Sequence, residues 1–173
     1  TWLDTEERCK KLASALLKRG IGKGDTVSVL APNIPELLEC HFAIPMIGAV
    51  LNANNTRLDA STIAYILDHS EARVLLVDTE LSGLAAEALQ LAETAPLVID
   101  IDDPEGPSGQ RIGSMDYEDL LAEGDADFIY TPPDDEWDAI TVGYTSGTTG
   151  NPKGVVYSHR GAYINAVNNT LCW

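Results

Sequence analysis

The chain of 173 residues is short of positive charge, of pairable cysteines and of long apolar runs. Eleven Lys and Arg stand against 27 Asp and Glu, a formal net charge of −16. Nucleic acid is therefore not an expected partner, because binding its phosphates needs a basic face. Cys9, Cys40 and Cys172 are odd in number, far apart, and form no C-x-x-C pair. That usage excludes a disulfide scaffold and fits a reducing compartment, with the cytoplasm as the expected location. Cys9 lies on an apolar helical stripe and reads as a small core residue. No apolar run approaches the ~20 residues that cross a bilayer, so no transmembrane segment is expected. The chain begins at Thr1 rather than Met, and nothing follows from it about a leader.

One more absence is local. Residues 139–173 contain no Asp or Glu, and their only Lys or Arg residues are Lys153 and Arg160. In so acidic a chain, this stretch lacks the carboxylates that would repel an anion. It holds the run Tyr144-Thr145-Ser146-Gly147-Thr148-Thr149-Gly150-Asn151-Pro152-Lys153-Gly154. Glycines 147, 150 and 154 let backbone N–H groups approach a ligand closely. Thr145, Ser146, Thr148 and Thr149 add uncharged donors, Lys153 adds the charge, and Pro152 stiffens the turn. Residues 139–144 read as a buried strand, Val155, Val156 and Tyr157 as extended, and a helix is expected near Ser158. A strand feeding such a loop suits a polyphosphate. It is not a Walker A loop, since two residues separate Gly150 from Lys153. Gly20-Ile21-Gly22-Lys23-Gly24 lacks the dinucleotide spacing and reads as a helix-ending turn.

The remaining pattern alternates. A helix is expected from Asp4 as N-cap, through Cys9, Leu12 and Leu16, to Gly20. Strands follow at Thr26–Leu30, 73–77 and Leu97–Ile101, with helices at 34–47 (Pro45 kinking or ending it), after Asp59, and at 84–91. Such alternation predicts an α/β fold: βα units and a mostly parallel sheet flanked by helices. Residues 100–138 break the rhythm with 14 acids, the single base Arg111 and four prolines. They read as a solvated, variable excursion carrying a short helix at 115–122, with no metal-ligand spacing. A chain of this length has room for a core covering about 68–70% of its unfolded surface.

The run from Tyr144 to Gly154 resembles the signature of the adenylate-forming superfamily, and more specifically its acyl-CoA synthetases. Gly22-Lys23-Gly24-Asp25-Thr26-Val27, Ala31-Pro32-Asn33, Gly48-Ala49-Val50-Leu51-Asn52 through Arg57-Leu58, and Ser158-His159-Arg160 are similar to further segments of that family. The resemblance implies that residues 1–173 are part of the large N-terminal AMP-binding domain, truncated at both ends. Within it, 1–99 form βα units, 100–138 the acidic excursion, and 139–173 the strand, phosphate loop and following helix. It implies that ATP is bound through Thr145, Ser146, Gly147, Thr148, Thr149, Gly150 and Lys153, with Lys153 stabilising the pyrophosphate. Mg2+ ligands are expected mostly outside the chain, and CoA as co-substrate. The implied function is activation of a carboxylic acid, expected to be a fatty acid, as acyl-adenylate and its transfer to CoA; the piece alone is expected to be inactive. An adenylation domain loading a carrier protein and a non-catalytic nucleotide-binding module remain as alternatives. His159 reads as a helix-start or packing residue, and Arg160 as either an ion-pair or a phosphate contact. Asn52, Asn54, Asn55 and Arg57 read as turn and packing residues, and Trp2, Trp137 and Trp173 as packing.

Overall fold

The computed structural model describes residues 1–145 and 151–172. Helix α1 (Trp2–Lys18) is followed by β1 (Thr26–Leu30), α2 (Pro35–Met46), β2 (Val50–Ala53), α3 (Ala60–His69) and β3 (Ala72–Asp78). A 3-10 turn at Thr79–Leu81 leads into α4 (Ser82–Leu91), then β4 (Leu97–Ile101), β5 (Met115–Asp116) and α5 (Tyr117–Ala122). Strand β6 (Ala139–Thr145), β7 (Lys153–Ser158) and α6 (His159–Cys172) complete the described chain.

The strands form one sheet in the order β5-β4-β3-β1-β2-β6-β7. Every pairing is parallel except β6 with β7. The expected α/β fold with a mostly parallel, helix-flanked sheet is therefore present. Period-two alternation sends Val27, Val29, Val74, Leu76, Ile99 and Ile101 to one face, against α1, α2 and α5. Leu30, Leu75 and Val77 go to the other face, against α3 and α4. Both faces of β1 and β3 are thus covered, which is why these strands read as nearly continuous apolar runs.

Local chemistry accounts for the helix ends, with one correction. The N-cap of α1 is Thr1, not Asp4. Thr1 Oγ1 accepts from the Asp4 backbone N–H, while Asp4 at the third helical position reaches back to Thr1, a reciprocal capping box. Gly20, at φ 78°, closes the same helix: its N–H bonds Leu17 O and that of Ile21 bonds Leu16 O. Helix α2 ends one residue after Pro45. Asp59 caps α3 by accepting from Thr62 N–H at 2.8 Å.

Three further expectations need correction. The stretch 100–138 is more than a solvated excursion, because it adds β5 to the sheet and buries Tyr117, Leu120 and Leu121 from α5. Those three residues recur at helical spacing, a signal outweighed by the surrounding acids. The expected helix at 115–122 accordingly starts two residues late. Strand β6 is half-buried rather than buried, because beyond it lies only the exposed β7. Trp2 and Trp137 do not pack inward; they are 76% and 68% exposed. Trp173 lies outside the described residues.

Candidate functional site

The site is framed by the antiparallel pair β6–β7. Register sets Tyr144 opposite Gly154 and Thr145 opposite Lys153, so Thr145 and Lys153 stand at the two ends of the connection between the strands. Thr145 Oγ1 lies 3.5 Å from Lys153 O, across the mouth of that connection. Ser146, Gly147, Thr148, Thr149 and Gly150, the remainder of the expected phosphate-binding set, lie outside the described residues. Lys153 is exposed, and among the described residues no carboxylate pairs with it. An exposed lysine in a stretch without acids, paired across the strands with a threonine, can attract a phosphate group.

Strand β6 is fastened to the core by polar groups rather than by a deep apolar face. Thr141 Oγ1 donates to Leu51 O at 2.8 Å, and Asn52 Nδ2 donates to Val142 O at 3.0 Å. Asn52 is 1% exposed; its Oδ1 accepts from Ser28 Oγ, which in turn accepts from Asn54 Nδ2. A chain of buried hydrogen bonds therefore runs from β1 through β2 to the strand that carries Thr145. Asn52 and Asn54 are packing residues, as read from sequence, but the structure gives Asn52 a specific task that the sequence reading missed. Two asparagines beside an apolar strand were the available signal, since buried amides need partners. Asn55 Oδ1 accepts from Arg57 N–H at 3.0 Å, the expected turn.

On one face of β6 the Tyr144 ring lies over β7. A Cβ at Gly154 would stand 3.5 Å from the Tyr144 ring, an ordinary contact, but 3.2 Å from Val142 Cγ2, so the missing side chain relieves crowding against Val142. The Tyr144 hydroxyl is 2.8 Å from His69 Nδ1, at the end of α3. Burial raises the Tyr144 hydroxyl above its ordinary pKa of 10, keeping it protonated at neutral pH.

His159 and Arg160 are not brought to this site. Ala139 pairs with Ser158 at the opposite end of the hairpin, six residues from the Thr145–Lys153 pair, or about 20 Å of strand. Arg160 pairs with Glu136 and lies 5.4 Å over the Trp137 ring, which settles its open reading in favour of the ion pair. His159 starts α6, its N–H bonded to Asp138 O.

A concavity lies apart from the β6–β7 pair, at the carboxyl ends of β1 and β2. There α2 leaves toward one face and α3 toward the other, the switch point at which open parallel sheets tend to bind ligands. It measures about 510 Å³, is lined by Asn33, His41, Asn54 and Thr56 among others, and Asn54 Oδ1 there is buried without a partner.

Residues 1–172 match the AMP-binding enzyme family. The chain belongs to that family. Among curated relatives of this AMP-binding chain is a peroxisomal acetate/butyrate–CoA ligase of Arabidopsis thaliana, 50% identical over all of the chain and 32% of the relative. An acetate–CoA ligase of Humulus lupulus is 49% identical, again over the whole chain and 33% of the relative. A peroxisomal trans-cinnamate:CoA ligase of Petunia hybrida is 48% identical with the same coverage. The chain thus spans about a third of the length of these relatives. Among solved structures, an anthranilate CoA ligase in complex with anthranoyl-AMP superposes with a TM-score of 0.84 at 25% identity, over 94% of this chain and 30% of that one. A long-chain-fatty-acid–CoA ligase of Archaeoglobus fulgidus gives 0.80 at 25% identity, over 96% and 31%. No helix among the described residues is long and apolar enough to cross a membrane.

The family uses Mg2+ with ATP. Residues 139–172 offer the ion no carboxylate, and among the described residues no group of three His, Cys, Asp or Glu could hold it. The Thr145 hydroxyl alone does not make a magnesium site.

Proposed function

We propose that the complete protein carrying these residues is an AMP-forming acid–thiol ligase, an acyl-CoA synthetase, and that this segment grips the triphosphate of ATP. The supporting observation is the register that sets Thr145 opposite Lys153 at the mouth of the hydroxyl- and glycine-rich connection. Ser146, Gly147, Thr148, Thr149 and Gly150 complete the set on sequence grounds.

In the first half-reaction a carboxylate oxygen of the acid attacks the α-phosphorus of ATP. The bond to the bridging oxygen breaks, that oxygen keeps the electron pair, and pyrophosphate leaves. No protein nucleophile is needed, because the substrate supplies one. This chain's part is to hold the triphosphate in line and to meet the charge that grows on the departing pyrophosphate with Lys153 and the nearby donors. In the second half-reaction the CoA sulfur attacks the acyl carbonyl, AMP leaves, and the thiol proton passes to solvent. Lys153 has no part in that step, since the pyrophosphate has gone.

The acid is proposed to be a fatty acid of short chain, acetate and butyrate first, because the relative at 50% identity is named for them. Relatives named as CoA ligases favour CoA over a carrier protein as acceptor. The cytoplasm is the proposed compartment, with the peroxisome as the alternative that two of those names introduce. The test is acid-dependent exchange of pyrophosphate into ATP by the complete protein, followed by thioester assay with CoA and with a phosphopantetheinylated carrier. Exchange with no acid in a panel from acetate to cinnamate would reject the ligase reading. Transfer to the carrier alone would reject CoA.

A further inference from the structure

We propose that His69 is a positioning residue for the phosphate site, acting through Tyr144 on the strand pair that presents Thr145 and Lys153. The inference rests on the ligase reading above for its catalytic consequence, but its structural part stands alone. Tyr144 directly precedes Thr145, and its cross-strand partner Gly154 directly follows Lys153. Whatever holds the Tyr144 ring against β7 therefore acts one residue from both ends of the connection. Two contacts, both from His69, hold it. His69 Nδ1 is 2.8 Å from the Tyr144 hydroxyl. The His69 ring meets the Tyr144 ring edge-on at 5.7 Å between centroids, and Tyr65, one turn earlier on α3, backs His69 at 5.4 Å.

The reach of this contact explains its importance. On the β2 side, β6 has one register pair, Leu51 with Thr141, three residues before Tyr144. The side-chain bonds from Asn52 and Thr141 also end at or before Val142. Beyond Val142, the contact at the end of α3 is a tie between β6 and the body of the fold among the described residues. Without it, the end of β6 depends more heavily on β7, and β7 is exposed along Lys153 to Tyr157. His69 is itself exposed, so replacing it removes a tether without opening the core.

The experiment uses the complete enzyme with MgATP and its best acid. His69→Ala and Tyr144→Phe should each lower kcat/KM for ATP in pyrophosphate exchange by about 3- to 10-fold, the range one hydrogen bond accounts for. The double variant should be no worse than His69→Ala alone, because His69→Ala already removes the hydrogen bond that Tyr144→Phe removes. His69→Gln, which can still bond the hydroxyl, should return to within about twofold of wild type, and transfer of acyl from preformed acyl-adenylate to CoA should not change. Additive losses, equal losses in both half-reactions, or unaltered exchange in His69→Ala would overturn the proposal. If the wild type shows no pyrophosphate exchange with any acid, the ligase reading fails separately. Amide hydrogen exchange of residues 153–157 then decides the tether: faster exchange in His69→Ala than in wild type supports it, and identical rates overturn it.

Discussion

Two parts of the sheet, built from similar residues, are treated in opposite ways. Strand β3 buries six of its seven residues and α1 buries six of its own. Strand β7 buries none, although it contains Val155, Val156 and Tyr157, and none of the fourteen residues of α6 is buried. Val156 is 63% exposed, Tyr163 72% and Leu171 80%. The difference teaches that apolar content does not place a strand in a core; what packs on it does. The covered region supplies stability, whereas the uncovered one carries Lys153 and presents an apolar surface of the kind that marks contact with further protein.

That contrast can be broken at several points. The largest effect concerns sufficiency. Residues 1–173 expressed alone should form no acyl-CoA from ATP, CoA and a panel of acids, and should aggregate or bind ATP weakly. Holding reactants in line can be worth about 7–11 kcal/mol of barrier, and the proposed phosphate-gripping segment should not by itself bring carboxylate and α-phosphate together. AMP release above that of a Lys153→Ala control would contradict this.

Next comes the covered side. Leu76→Ala, at a position with no exposure, should cost about 2–5 kcal/mol in urea unfolding of the complete protein while leaving activity per folded molecule unchanged. A cost below ~1 kcal/mol would show that the core region is not the stability source. Lys153→Ala should do the reverse. Adenylation should slow about 100-fold, roughly 2.7 kcal/mol, with transfer from preformed acyl-adenylate unaffected and stability within ~0.5 kcal/mol of wild type. Equal slowing of both half-reactions would assign Lys153 another role.

A smaller effect tests how α5 joins the core. The Tyr117 hydroxyl donates to Glu39 at 2.8 Å, and Glu39 also pairs with Arg8. Tyr117→Phe should cost about 1 kcal/mol near neutral pH. Burial raises the Tyr117 hydroxyl well above its ordinary pKa of 10. The folded value exceeds the unfolded one, so this contribution is complete below pH ~10 and is lost as pH rises beyond it. The stability gap between wild type and Tyr117→Phe should therefore narrow above pH ~10 in thermal unfolding, and a gap that widens would reverse the assignment. The smallest change is expected on the uncovered side. Val156→Ser in residues 1–173 should shift stability by less than ~0.5 kcal/mol yet reduce aggregation, read by light scattering. A large loss of stability would show that β7 is packed after all.

The sequence by itself determined the alternation of helices and strands, because period-two and helical spacing are local properties carried by runs such as Thr26–Leu30 and by caps such as Asp59. The run proposed to grip phosphate was also found from sequence, since glycine, hydroxyl and lysine chemistry is written in consecutive residues. What only the tertiary structure decided lies between residues distant in the chain. It seats β6 against β2 through Asn52, draws Tyr117 of an acidic stretch onto Glu39, and sends Arg160 to Glu136, away from the Thr145–Lys153 end of the hairpin. It also brings His69 to Tyr144, 75 positions away. No spacing rule encodes these contacts, because each depends on which strands become neighbours and how far a side chain reaches once they do.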